Sequence, residues 1–172
     1  MMQAREGRTA KRILVPITAG LTADHALAAV NAARIARKSG GVVRLAYLAP
    51  MPAPRVDHLD RVVADADREM ARITSVAQEH LGALAAALEG VLVETVVRFG
   101  RPGRELAIEA SAFEADLIAL AAPAGPRLRT RIRAWQLRRV AEGLEIPLIV
   151  FPLPASGGGA SARDAVAAPA LR

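Results

Sequence analysis

The residues of this chain that could do chemistry are a cluster of arginines, three histidines and one threonine at a predicted turn. The arginine cluster comprises Arg127, Arg129, Arg131, Arg133, Arg138 and Arg139, with no acidic residue among them. Guanidinium groups bind phosphate through paired hydrogen bonds, so Arg127 and Arg129, close to Gly125, are candidates for an anion site. A charged, solvated helix and loop explain the same cluster, and we favour that interpretation.

The threonine and the histidines have simpler explanations than ligand binding. Thr18 follows a predicted strand and could bind a ribose hydroxyl, but threonine at such a turn usually bonds to nearby backbone. His25, His58 and His80 lack the spacing of a metal site, and the chain has no cysteine. We therefore predict structural, exposed histidines and no metal ligands.

Motifs of known catalytic chemistry are missing from the sequence. It contains no Gly-x-Ser-x-Gly elbow, no phosphate-binding loop of the Gly-Lys-Ser/Thr type and no dinucleotide fingerprint. We therefore predict that the chain has no catalytic residue and is not an enzyme.

Composition limits the remaining classes. The chain has 172 residues, of which 52% are hydrophobic and only 3% aromatic, which predicts one domain with an aliphatic core. The net charge of +6 could attract anions, but the scarcity of aromatic residues argues against base stacking, so we do not expect nucleic-acid binding. Without an apolar run of roughly 20 residues, a secretory signal or a cysteine, the chain is predicted to be cytoplasmic and not inserted into a membrane.

The elements that must position these residues can be predicted from hydrophobic spacing. Strands are expected at Lys11–Ile17, Val42–Leu48, Val91–Phe99, Leu117–Ala121 and Leu148–Phe151. Helices are expected before Gly40, from Ala66 to Leu88, from Leu106 to Phe113 and around Leu137 to Leu144. The alternation of strand and helix predicts an α/β fold with an open five-stranded parallel sheet and helices on both faces. This domain is expected to span residues 11–154, between a basic, flexible segment 1–10 and a disordered Ser/Gly/Ala-rich tail 155–172.

Ligands of such sheets bind beyond the carboxyl ends of the strands, where the strand order reverses. The loops after the first and fourth strands are therefore the candidate site. A phosphate there needs backbone N–H groups, and the fourth-strand loop contains Pro123 and Pro126, which have none. The loop is poorly suited to hold a phosphate through its backbone.

Five segments of the chain resemble the universal stress protein family in order and spacing. They are Ile13-Leu-Val-Pro-Ile17, the helix Ala23 to Gly40 with Ala26-Leu27, Arg98-Phe-Gly-Arg-Pro102 with Leu106, Ala115-Asp-Leu-Ile118, and Ile146-Pro-Leu-Ile-Val150. The resemblance covers about residues 11 to 153. It implies a Rossmann-like sheet with strand order 3-2-1-4-5 and a stress-linked regulatory role.

The resemblance also implies which residues would bind ATP. Members that bind it carry Gly-x-x-Gly, nine residues and then Gly-Ser or Gly-Thr after the fourth strand, and an Asp after the first. The corresponding residues here are Ala121, Ala124, Ala134, Trp135 and, for the Asp, Thr18. All five depart from the pattern. Trp135 either fills the degenerate cleft or is simply a half-buried helix residue.

We therefore expect no cofactor, with ATP or another adenine nucleotide as the alternative. The favoured function is a regulatory domain that acts through dimerisation and contacts with an unknown protein. The first alternative is a nucleotide or anion sensor rebuilt around Arg127 and Arg129. The second is an accessory domain of a transporter or kinase, because related domains occur fused to such proteins. Dimerisation is expected through the edge strand Leu148 to Phe151, both from the resemblance and because an apolar edge needs covering.

Overall fold

Five strands form one parallel sheet in the computed structural model of the chain, which describes residues 10–18, 23–53, 55–56, 62–121 and 138–151. The elements are β1 (Arg12–Thr18), α1 (Ala23–Ser39), β2 (Val42–Ala49), β3 (Arg55–Val56), β4 (Val62–Ala64), α2 (Ala66–Ala86), β5 (Leu92–Phe99), α3 (Pro102–Ala112), β6 (Leu117–Ala121), α4 (residues 138–143) and β7 (Leu148–Phe151). Across the sheet the order is β5-β2-β1-β6-β7. The predicted α/β class and strand order 3-2-1-4-5 are confirmed.

One face of the sheet packs against α1 and α2. β1 contributes Ile13, Val15 and Ile17 to this layer, all fully buried. α1 presents a row of alanines, and α2 adds Leu81, so the helices approach the sheet through small side chains with few larger ones between them. The aliphatic core that the composition predicts is present on this side.

The opposite face packs against α3 and α4. Here the fully buried Leu14, Leu106 and Phe113 meet Ile118, and Val140 of α4 packs at the edge of this cluster. β6 is buried along most of its length, with only Ala121 partly exposed, as its unbroken apolar run predicts for a strand covered on both faces.

Local signals set the ends of the helices. α2 begins at an N-cap, Asp65, whose carboxylate accepts a hydrogen bond from the backbone N–H of Arg68 at 2.8 Å. Pro102 occupies the first turn of α3, where its missing N–H costs nothing. Gly40 and Gly90, which follow α1 and α2, have φ angles of 61° and 71°, conformations that favour glycine.

Two details differ from the sequence-based expectation. The segment between β2 and α2 contains a short antiparallel ribbon, β3 paired with β4, which the sequence analysis did not predict. α3 begins at Pro102, one turn earlier than the hydrophobic spacing from Leu106 indicates.

No helix within the described residues is long and apolar enough to cross a bilayer. The predicted terminal segments 1–10 and 155–172 lie outside the described residues, Ala10 excepted.

Candidate functional site

The order of the sheet reverses between β1 and β6. On one side of this point β1 pairs with β2 along its whole length, and Thr18, the last residue of β1, is in register with Leu48 of β2. On the other side the pairing of β1 with β6 ends at Leu14 and Ile118. Pro16, two residues beyond Leu14, has no N–H to donate, which is consistent with the early end of this ladder. The carboxyl ends of the two strands therefore flank the switch point, the position at which open α/β sheets have their ligand crevice.

Thr18 lies at this crevice and uses its backbone N–H within the protein. The N–H donates a hydrogen bond to Nε2 of His25, in the first turns of α1, with 3.4 Å between the nitrogens. An imidazole nitrogen that accepts a hydrogen bond carries no proton at that atom, so Nε2 is the acceptor that His25 offers to Thr18. The imidazole is half-buried rather than exposed, which corrects the sequence-based prediction for His25. His80 is exposed, as predicted, and His58 lies outside the described residues.

Ala121 ends β6 on the other side of the crevice, in register with Phe151 of β7. It is partly exposed and packs against the core cluster on the α1 face. The structure therefore places both Thr18 and Ala121 at strand ends on the carboxyl edge of the sheet. The other predicted site residues, namely Ala124, Gly125, Arg127, Arg129, Ala134 and Trp135, lie outside the described residues.

A network of charged side chains lies between the sheet and α3, and the sequence analysis did not predict it. Arg44 of β2 forms ion pairs with Glu94 of β5 and, at 2.7 Å, with Glu109 of α3. Arg98 of β5 pairs with the same Glu109 at 3.0 Å and with Glu105 at 2.9 Å. Two strands and one helix are thus joined by five charges.

Glu109 is the centre of this network. Only 2% of the residue is exposed, and each carboxylate oxygen accepts a hydrogen bond from a different arginine, Oε1 from Arg44 and Oε2 from Arg98. No buried side-chain nitrogen or oxygen of the described residues is left without a hydrogen-bond partner. The two arginines therefore compensate the negative charge of this buried carboxylate. Without such partners, burying the charge would cost several kcal/mol, as an order of magnitude.

The environment of Arg44 favours its charged form. Burial lowers the pKa of Arg44, but hydrogen bonds and Coulomb attraction from Glu94 and Glu109 outweigh burial and raise the pKa above its ordinary value. The guanidinium also lies 4.2 Å from the centre of the Phe113 ring, and that of Arg12 lies 4.7 Å from it. Both distances suit cation–π contacts, so the aromatic ring adds to the stability of the cluster.

This network does not have the arrangement of a catalytic or metal site. Each of its carboxylates is paired with an arginine, and the described part of the chain contains no group of three or more His, Cys, Asp or Glu residues able to hold a metal ion. A signal for it existed in the sequence, because Arg44, Glu94 and Arg98 interrupt apolar strands. Their partners on α3 could not be identified from spacing alone, since Arg44 and Glu109 are 65 residues apart.

The model of the universal stress protein family matches residues 9–152, most of the chain. The chain belongs to the universal stress protein family. A search among curated proteins gives no significant match. Solved structures of universal stress proteins share the fold, and three of them illustrate how widely the sequences differ.

UspA from Lactobacillus plantarum is 22% identical, with a TM-score of 0.58, and the match covers 84% of this chain and 99% of that one. A universal stress protein solved in complex with cAMP is 18% identical, with a TM-score of 0.58, over 83% of this chain and 97% of that one. A family member from Arabidopsis thaliana with AMP bound is 11% identical, with a TM-score of 0.51, over 84% and 93%. At these identities the similarity shows a common fold. The cAMP and the AMP are ligands of those two proteins and are not assigned to this chain.

Proposed function

We propose that this universal stress protein is a regulatory domain that acts through dimerisation and protein contacts and does not bind ATP in the usual way. The observation that carries the proposal is the state of Thr18 at the switch point. Its backbone N–H is already bonded to His25, and its position is the one where the ATP-binding pattern has an aspartate. A ribose would find no carboxylate at position 18, and the amide of Thr18 is already bonded to His25.

Ala121 supports the same conclusion from the other side of the crevice. The ATP-binding pattern has glycine at this position, where a phosphate approaches the backbone closely. A methyl group here would keep an anion away from the main chain, and the sequence has alanine at the further pattern positions 124 and 134 as well. Trp135 replaces a hydroxyl residue with a large apolar ring, which removes a donor and adds bulk.

The dimer is part of the proposal. β7 is an edge strand of the sheet, and its side chain Val150 is 37% exposed. An apolar edge with free backbone groups favours pairing with a second copy. We place this regulatory domain in the cytoplasm, on the chain's lack of cysteine.

A nucleotide or anion sensor built around Arg127 and Arg129 is the second candidate. Two family members were solved with cAMP or AMP, which keeps an adenine nucleotide within the chemistry of the fold. In that case side-chain guanidiniums would take over the role of the missing backbone cradle.

Calorimetric titration of the full chain with ATP tests the proposal. We expect no binding in the micromolar range. Restoring the family pattern in one variant, which carries Thr18→Asp, Ala121→Gly, Ala124→Gly, Ala134→Gly and Trp135→Ser, should create measurable ATP binding. Micromolar binding by the unchanged chain that Ala124→Trp abolishes would show that the proposal is wrong.

Thermal unfolding with ATP, cyclic AMP and AMP at millimolar concentration separates the two candidates. A ligand at one hundred times its dissociation constant stabilises the folded state by about 2.7 kcal/mol. The regulatory domain should give the same melting temperature with every nucleotide. A rise in melting temperature that the pair Arg127→Ala and Arg129→Ala removes would establish the sensor instead.

A further inference from the structure

A groove opens at the carboxyl ends of β2 and β5, between the segment that follows β2 and the start of α3. Its volume is about 750 Å³, and we call it the β2–α3 groove. Its apolar lining consists of Pro50, Met51, Phe99 and Pro102. Met51 is 63% exposed, a large apolar side chain that the described part of the chain leaves facing solvent. With respect to the described residues, the groove thus has an apolar floor that faces solvent.

Two arginines, Arg101 and Arg104, line the same groove and are exposed. Within the part of the chain that the structure describes, neither guanidinium forms an ion pair or a hydrogen bond. The acidic residue of the lining, Glu105, is already paired with Arg98. Two uncompensated positive charges therefore stand beside the apolar floor. The start of α3, which has no side-chain cap, adds a partial positive charge of its own.

The walls of the groove are held in place by contacts beneath them. The N–H of Gly100 donates a hydrogen bond to the carbonyl oxygen of Ala49 at 2.8 Å, which ties the end of β5 to the end of β2. A Cβ at Gly103 would come within 2.8 Å of a methyl group of Val140, so α3 and α4 are in close contact there. A surface that is ordered before binding loses little conformational entropy when a partner arrives.

The shape of the groove decides between kinds of occupant. Small-molecule pockets enclose most of their ligand, whereas this groove is open to solvent. An extended peptide fits such a shape, because one side chain can enter while its neighbours lie along the rim. Charge complementarity requires that these neighbours be acidic.

We propose that the β2–α3 groove binds an acidic peptide segment of a partner protein, with one apolar side chain of the segment packed on Met51 and Phe99. Carboxylates on either side of that side chain pair with Arg101 and Arg104. This inference rests on the proposed function in one respect, since it assigns the surface for protein contact that the regulatory domain needs. The flexible thioether of Met51 suits a surface that accommodates different apolar side chains.

Backbone amide NMR on the full-length, ¹⁵N-labelled chain tests the inference. The probes are heptapeptides of Asp and Glu around one central residue, which is Leu, Met, Phe or Trp in the different peptides. Matched peptides replace every Asp by Asn and every Glu by Gln. At millimolar concentration the acidic peptides should shift the amides of Met51, Phe99 and residues 100–104, and the neutral peptides should not.

Two pairs of substitutions complete the test. Arg101→Gln with Arg104→Gln should weaken binding of the acidic peptides by about tenfold or more. The control, Arg34→Gln with Lys38→Gln, removes the same charge from exposed positions of α1 on the other face of the sheet and should leave binding unchanged. Met51→Ser should weaken binding without affecting the fold, because the side chain is exposed.

Three results would overturn the inference. The first is that no acidic peptide shifts the groove amides. The second is that both variant pairs, or the acidic and neutral peptides, behave alike. The third is that inorganic phosphate alone reproduces the shifts and displaces the peptides, which would make the groove a small-anion site. ATP titration of the same samples reports on the proposed function separately, so either idea can fail while the other stands.

Discussion

The backbone N–H of Thr18 and Nε2 of His25 share a hydrogen bond that joins the end of β1 to the first turns of α1. The bond occupies the amide of the last residue of β1, beside the switch point of the sheet. His25, which the sequence analysis predicted to be exposed, thus accepts a hydrogen bond from the backbone at the end of a strand. We expect it to contribute to stability rather than to ligand binding.

His25→Ala should therefore lower the free energy of unfolding by about 1 kcal/mol, the usual net value of one hydrogen bond. Urea unfolding of the variant at neutral pH measures this. His80→Ala, which removes an exposed histidine from α2, is the matched control and should leave the free energy of unfolding nearly unchanged. Equal effects of the two substitutions would contradict the assigned role of His25.

Glu109→Gln should destabilise the protein more than Glu94→Gln, although both carboxylates bind Arg44. Glu109 is buried and accepts bonds from two arginines, so losing its charge should cost about 1–3 kcal/mol. The side chain of Glu94 is 40% exposed, so water screens its attraction to Arg44. Losing this charge should lower the free energy of unfolding by about 1 kcal/mol or less. Denaturant unfolding of both variants gives the comparison, and a larger effect of Glu94→Gln would refute the central place of Glu109.

The arginine side of this network should not make stability depend on pH in the ordinary range. The pKa of Arg98 is raised, first by its hydrogen bond to Glu105, although burial opposes this, and the pKa of Arg44 is raised as well. A raised pKa contributes stability that is complete below the unfolded-state value and is lost only when pH rises through the folded-state value. For arginine both values lie far above neutrality, so unfolding curves between pH 7 and 9 should show no loss from these groups.

Gly100→Ala and Gly82→Ala should change stability in opposite directions. Gly100 has a φ of 154°, and a Cβ there would lie 2.5 Å from Oε1 of Glu105, so the substitution should destabilise by about 1–3 kcal/mol. Gly82 lies within α2, with no atom within 4 Å of an added Cβ, and alanine there should stabilise by about 0.5–1 kcal/mol. Melting temperatures of the two variants test this, and a stabilised Gly100→Ala would be the contrary result.

Val150→Lys should convert the proposed dimer to a monomer, because it places a charge on the exposed edge strand β7. Leu92→Lys is the control on β5, the opposite edge of the same sheet, where the native side chain is 66% exposed. Light scattering after gel filtration measures the mass of each. If Leu92→Lys dissociates the dimer and Val150→Lys leaves it intact, the interface lies at β5 and the proposed edge is wrong.

Hydrophobic spacing was sufficient to predict the five strands of the sheet and the helices between them. The strand limits agree within one residue at each end, because each strand is an apolar run bounded by glycine, proline or polar residues. The ribbon β3–β4 was missed since its strands, at residues 55–56 and 62–64, are too short to show periodicity. The start of α3 was placed late because Pro102 and Gly103 carry no helical hydrophobic signal, although proline commonly begins helices.

The candidate site could be located from the sequence only in outline. The position of Thr18 and Ala121 at strand ends follows from strand limits, and the structure agrees with it. The bond from Thr18 to His25 could not be foreseen, because it depends on how the first turn of α1 faces the sheet. The pairing of Arg44 with Glu109 depends in the same way on the docking of α3.

The ion pairs of Glu109 restrict how α3 can move on the sheet. Glu105 and Glu109 lie one turn apart on α3 and both pair with arginines of the sheet, so sliding α3 along the sheet would break or exchange the ion pairs to Arg44 and Arg98. α3 is therefore fixed to the sheet through two residues, Glu105 to β5 and Glu109 to both β2 and β5. We therefore expect α3 to move together with β2 and β5 rather than to slide past them.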